Sequence, residues 1–293
     1  MRSRPAISSP IAFLCTLVAL ALGGDRVRAD GSYDQRLGAL DARLKSDPTD
    51  AQVWFQRGCL CLHNGDWQVA LADLEKADRI APGKFATDWW RGQALAVGGQ
   101  LTMARTVLDD FIASHPDHAG ARLSRARVFG KLGRKEDSLA DYRAALSKSP
   151  QAEPDLIVEV ADALAAHGMN ADAIGVLDNG VARIGQTPSL VVRAVELEIA
   201  SARFDAALRR VEAQRRSAAR PEPWMVRRAS ILAQAGRLEE SRLAWREIIA
   251  HLATLPERER TSHSMSIIGE QARLALSALD GLVQNSTLTS AKR

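Results

Sequence analysis

Three columns of residues, each recurring every 34 or 35 positions, constrain the fold of most of this chain. A small residue stands at Ala70, Ala104, Ser138, Ala173, Ala207 and Ser241, at separations of 34, 34, 35, 34 and 34 residues. In the same frame lie Gly65, Gly99, Gly133, Gly168, Ala202 and Gly236. A third column reads Gly58, Gly92, Ala126, Ala161, Val195 and Ala229. Self-similarity at this period marks an array of supersecondary units, each too small to bury its apolar face without neighbours.

The stretch Ala51–Pro82 shows what one unit is. Two segments with helical apolar spacing flank Gly65-Asp66, where glycine tolerates the left-handed backbone that follows a helix end. Gly58 and Ala70 allow two antiparallel helices to approach closely, and Trp54 and Leu74 fill the wider ends of the gap. The bulky position continues as Leu108, Tyr142, Leu177, Val211 and Trp245. Closing prolines occur at Pro82, Pro116 and Pro150 and then lapse, so the later copies are degenerate, with Val195 the largest departure in its column.

This hairpin resembles the tetratricopeptide repeat (TPR), and the resemblance covers Ala51–Ala253. It implies an all-α fold: a right-handed helical-hairpin solenoid, a TPR-like superhelix of about six repeats with N- and C-terminal capping helices. The repeats fall at 51–84, 85–118, 119–153, 154–187, 188–221 and 222–254. Residues 30–50 carry Tyr33, Leu37, Leu40 and Leu44 at one-face spacing and read as a capping half-repeat. Residues 255–283 read as an amphipathic capping helix with apolar positions Met265, Ile268, Ala272, Leu274, Leu276 and Leu279, and 284–293 as a disordered polar tail.

The N-terminus follows other rules. Arg2 and Arg4 precede an apolar run, Ile11–Leu22, and small residues lead to Ala29, the pattern of a cleavable secretory signal peptide over 1–29. Twelve residues are too few to span a bilayer, which takes about 20. The expectation is therefore a periplasmic or secreted protein with no integral membrane segment after cleavage. Without those residues the chain keeps 35 basic and 34 acidic side chains, so its high pI is no argument for nucleic acid as a partner. Cys59 and Cys61 remain, about 200° apart around a helix, which disfavours a disulfide between them. Buried thiols fit this spacing better than a redox or metal pair.

In TPR stacks the first helix of each hairpin lines the concave face. Carried onto this sequence, the resemblance assigns a peptide-binding groove with one column at Phe55, Trp89, Leu123, Val158, Val192 and Val226. A second column, one turn on, holds Cys59, Gln93, Arg127, Asp162, Glu196 and Ser230, with Lys131 near the rim. Phe55 and Trp89 either anchor a partner or pack against a neighbouring helix, and the pattern leaves both open. Trp54 and Trp90 fall off the inward line and read as core or edge. Arg127 and Asp162, on adjacent repeats, are expected to pair. Members of the family that grip chaperone carboxylates use basic and amide side chains where this chain has Phe55, Cys59, Trp89 and Gln93, so that clamp is not expected.

Three functions fit. The first is a non-catalytic scaffold outside the cytoplasm that binds a peptide or partner helix in its groove. The second is a self-associating, homo-oligomeric component of the cell envelope. The third is a metal-dependent enzyme built on His115-Pro116-Asp117-His118, although these residue types are also common at hairpin junctions. No phosphate loop or nucleophile elbow is present, so no cofactor is implied. Arg209, Arg210, Arg215, Arg216 and Arg220 form a basic run that suits either a solvated outer face or an anionic surface.

Overall fold

The computed structural model describes residues 30–149 and 152–290. The expected signal peptide, the closing Pro150 and the last three residues lie outside them. Among the described residues every regular element is a helix. The first five are α1 (Asp30–Ser46), α2 (Ala51–Asn64), α3 (Trp67–Ile80), α4 (Thr87–Val97) and α5 (Leu101–Ser114). Next come α6 (Ala119–Lys131), α7 (Lys135–Ser147), α8 (Pro154–Ala166), α9 (Asn170–Ile184) and α10 (Pro188–Ala200). The chain closes with α11 (Phe204–Ser217), α12 (Glu222–Gln234), α13 (Leu238–Thr254), a single turn α14 (Glu257–Arg260) and α15 (His263–Ser290). Six hairpins result, from α2–α3 to α12–α13, one per predicted repeat. They sort into two compact units divided between Val107 and Leu108.

The hairpins close because of the residues in the three columns. Gly65, Gly99, Gly133, Gly168 and Gly236 all have φ between 72° and 94°. At the sixth such place Ala202 takes φ 55°, the one non-glycine with positive φ among the described residues. Each of these residues donates its N–H to a carbonyl three residues back, and its successor reaches five back, as in Gly65 to Leu62 at 3.0 Å and Asp66 to Cys61 at 2.9 Å. This double cap satisfies carbonyls that the helix end would otherwise leave without partners. At the opposite ends, Asp50 caps α2 by accepting from the Val53 N–H, and prolines occupy the first turn of α8 and α10.

The small column is fully enclosed: Ala70, Ala104, Ala173, Ala207 and Ser241 are 0% exposed and Ser138 is 1% exposed. At Gly58 a β-carbon would stand 3.1 Å from Leu74 and 3.2 Å from the Ala70 carbonyl oxygen, so the position tolerates no side chain without movement. Val195 is also fully buried, and its added bulk coincides with a smaller partner, Val211, where Leu74 and Leu108 stand in the first two hairpins.

In the first unit α1 packs on α2, and the Tyr33 hydroxyl donates to Asp66 at 2.8 Å. In the second unit Ile157, Leu164, Leu177 and Leu190 centre one core cluster, and Trp245, Ile248 and Leu252 meet Met265, Ala272 and Leu279 of α15 in another. That contact covers the last hairpin. The helix continues to Ser290, past the boundary expected at 283.

Candidate partner-binding faces

On the first unit the candidate residues gather into an aromatic cluster. Phe55 of α2 stacks on Phe85, which precedes α4, with centroids 4.8 Å apart and planes at 10°. Phe55 also meets Trp90 edge-on at 6.3 Å; Trp90 lies 5.1 Å from Trp89 and 6.0 Å from the His63 ring. All four large rings are half-buried. Trp90, expected off this line, joins the cluster while also packing on the core around Cys61, Leu62, Ala70 and Ala94. Trp54 is at the edge, its indole N–H donating to the Pro48 carbonyl at 2.9 Å under the Arg57 guanidinium. Phe85 and His63 were not visible as members, because a connecting residue and an exposed histidine carry no periodic signal.

One turn beyond these rings the groups are quiet. Burial pushes the Cys59 thiol up to about 12 and also raises Cys61, so neither is a ready nucleophile or ligand. The Gln93 amide nitrogen is buried without a hydrogen-bond partner among the described residues.

On the second unit Leu123, Val158, Val192 and Val226 are half-buried; Leu123 and Val158 pack on the cluster around Ile157, and Val226 on that around Ile248. The polar column differs from expectation. Arg127 pairs with Glu159, through bonds of 2.6 Å from both Nε and Nη2, and not with Asp162. Asp162 is held by Arg193, which also reaches Glu196 at 3.0 Å. Counting one turn along a helix placed Arg127 opposite Asp162, but the reach of the guanidinium favours the carboxylate three residues earlier. The Tyr142 hydroxyl adds a bond of 3.0 Å to Glu159. Burial opposes the charge on Glu159, but the Arg127 bonds and this hydroxyl outweigh it and hold the carboxyl below its usual range. Lys131 is exposed at the end of α6 and Ser230 is half-buried on α12.

Away from these side chains, arginines tie helices together within each unit. Arg57 grips buried Asp73 with two bonds of 2.6 and 2.8 Å and reaches Asp41 of α1 at 2.7 Å. Arg125 repeats this with Asp141 at 2.6 and 2.8 Å and Asp109 at 2.7 Å. In the fifth hairpin the signs exchange helices: Arg210 lies on α11 and holds Glu198 of α10 and Asp178 of α9.

At the junction of hairpins two and three, His118 caps α6 by accepting from the Ala121 N–H at 3.0 Å, and the His115 ring stacks on Phe111 at 4.3 Å. Both are occupied in the helix ends. Among the described residues no three histidine, cysteine or carboxylate side chains are grouped to hold a metal, and no helix is long and apolar enough to cross a membrane.

A model of the tetratricopeptide repeat matches residues 22–85 and 89–153, which takes in the α2–α3, α4–α5 and α6–α7 hairpins with their caps. These two segments are tetratricopeptide repeats. The first match begins inside the segment expected to be a signal peptide and runs through α1. This TPR chain is 28% identical over 111 residues to the tetratricopeptide repeat and J domain-containing co-chaperone DNJ1 of Cryptococcus neoformans, covering 38% of this chain and 21% of that one. It thus spans about a fifth of that relative's length. Among solved structures, yeast Tom70 shares the fold at a TM-score of 0.54 and 13% identity, over 81% of this chain and 49% of that one. A thermophilic TPR protein of Thermus thermophilus aligns at a TM-score of 0.49 and 20% identity, over 65% of this chain and 97% of that one.

Proposed function

We propose that this TPR chain is a non-catalytic adaptor that takes a peptide or partner helix on the first-helix side of its hairpins, outside the cytoplasm. The aromatic cluster of Phe55, Phe85, Trp89 and Trp90 carries the reading. Large rings that the core leaves half-buried, and that hold one another rigid, make low-entropy anchors for an apolar side chain. On the second unit the paired charges of Arg127, Glu159, Asp162, Arg193 and Glu196 suit register more than affinity.

The test is affinity capture by the mature chain beside a Phe55→Ala/Trp89→Ala variant that keeps its helicity. A partner held by the first and lost by the second supports the reading; a partner held equally by both rejects this face. The extracytoplasmic location rests on Arg2, Arg4 and the apolar run that follows. It requires that the purified protein begin at Asp30 when its N-terminus is sequenced.

One observation favours self-association as a second reading. Ile267 and Leu274 lie seven residues apart on α15 and are 50% and 65% exposed. Light scattering of the chain and of an Ile267→Glu/Leu274→Glu variant decides whether that row joins two copies.

A further inference from the structure

The basic run on the fifth hairpin separates into two kinds of arginine. Arg210 is bound to Glu198 and Asp178, and Arg215 and Arg216 are bound to Glu212. Arg209, and Arg203 at the start of the same helix, have no side-chain hydrogen bond or ion pair to any described residue. Both line one cleft between α9 and α11, on the second-helix side of repeats four and five.

The repeat frame shows why they are free. Arg134 and Arg237 occupy the place of Arg203 in other hairpins. Arg134 is paired with Asp137, three residues on. Arg237 is paired with Glu240 three residues on and with Asp205 of the preceding hairpin. For Arg203 the corresponding positions are Ala206 and Ala171, so both carboxylates are missing. Arg209 stands where other hairpins have alanine, threonine, glycine or leucine. Two guanidinium groups are thus brought to one cleft without a hydrogen-bonded or ion-paired carboxylate among the described residues, in a lining of three arginines and two carboxylates.

The rest of the cleft favours a peptide over a bare ion. Val181 and Ala206, both half-buried, give it apolar surface above the buried Ile174 and Val191. Gln214 donates to Gln186 at 2.8 Å on its wall, which leaves each amide with further donors or acceptors suited to a peptide backbone. Asp178 and Glu198 also line it, but both are committed to Arg210.

We propose that this cleft is a second binding site, for an acidic, extended peptide segment, with Arg203 and Arg209 receiving carboxylates and apolar side chains resting on Val181 and Ala206. Its two free arginines stand at the start of and on α11, a second helix, apart from the aromatic cluster of the first unit, and it does not depend on that reading. Guanidinium pairs recognise carboxylates by paired hydrogen bonds as well as charge, which confers selectivity as well as attraction.

The probe is a fluorescein-labelled peptide of eight residues alternating glutamate and valine, followed by anisotropy on the full chain, with a glutamine-for-glutamate peptide beside it. Saturable binding of the acidic peptide is expected, weakened at least tenfold by Arg203→Ala/Arg209→Ala. Ala206→Asp is expected to weaken it several-fold while leaving both arginines in place, because it restores the partner that Arg134 has. Arg220→Ala, outside the cleft, is expected to leave binding unchanged. Equal binding of the glutamine peptide, equal loss with Arg220→Ala, full competition by millimolar inorganic phosphate, or no saturable binding would each overturn the proposal.

Discussion

The Ser138 hydroxyl donates to the Ala126 carbonyl oxygen at 2.8 Å, and Ser241 makes the same bond to Ala229 at the same distance. These are the two hairpins in which the small column is serine, and the acceptor in each is the small residue of the first helix. The close approach of two helices is therefore direct, with room for one hydroxyl and nothing larger. Ser138→Ala should cost at most about 1 kcal/mol, since the other hairpins close with alanine. Ser138→Val should cost about 1–3 kcal/mol by overpacking. Urea unfolding of the two variants separates these outcomes.

Ala202 sits at φ 55° where five hairpins have glycine. The left-handed region disfavours a β-carbon by about 1 kcal/mol or more, so Ala202→Gly should stabilise the chain by a comparable amount, net of the greater freedom glycine gives the unfolded state. A rise in Tm of a few degrees is expected. A fall would mean that the alanine methyl makes a contact worth more than the strain.

Arg125 is held chiefly by Asp141, whose side chain is 6% exposed, and secondarily by Asp109, at 40%. Asp141→Ala should destabilise by about 2 kcal/mol, less than the full cost of opening a buried pair because Arg125 keeps Asp109 and reaches solvent. Asp109→Ala should cost below about 1 kcal/mol. Equal losses in the two variants would contradict the ranking.

The Cys59 thiol, pushed up to about 12 by burial, is almost wholly protonated at pH 8. A disulfide reagent should label the folded chain far more slowly than the urea-unfolded chain at that pH. Labelling at the unfolded rate would show that Cys59 is open and reactive.

The hairpin fold was legible because its cause is periodic: a helix pair must have small residues where backbones touch and a left-handed residue where it turns, so Ala70, Gly65 and their copies had to recur. The aromatic face was legible only in part. Phe55 and Trp89 follow from counting along a helix, whereas Phe85 is brought to them by a connecting segment whose path no period encodes. The ion pairs were least legible. Long side chains choose among several carboxylates within reach, and so Arg127 took Glu159 instead of Asp162, and the fifth hairpin reversed the signs of its Arg210 bridge without disturbing the apolar pattern. The free state of Arg203 became visible only by comparing it with Arg134 and Arg237 once their partners were known.

The most direct test of partner binding at the aromatic face is photo-crosslinking in the native host. A photoactivatable phenylalanine is placed at His63, beside Trp90, and in a second strain at Arg216, whose side chain is 76% exposed on the fifth hairpin. An adduct with one protein partner from position 63, absent from position 216 and lost when Phe55 and Trp89 are also alanine, is the predicted result. Adducts from position 216 alone, or only with a second copy of the chain, would contradict it.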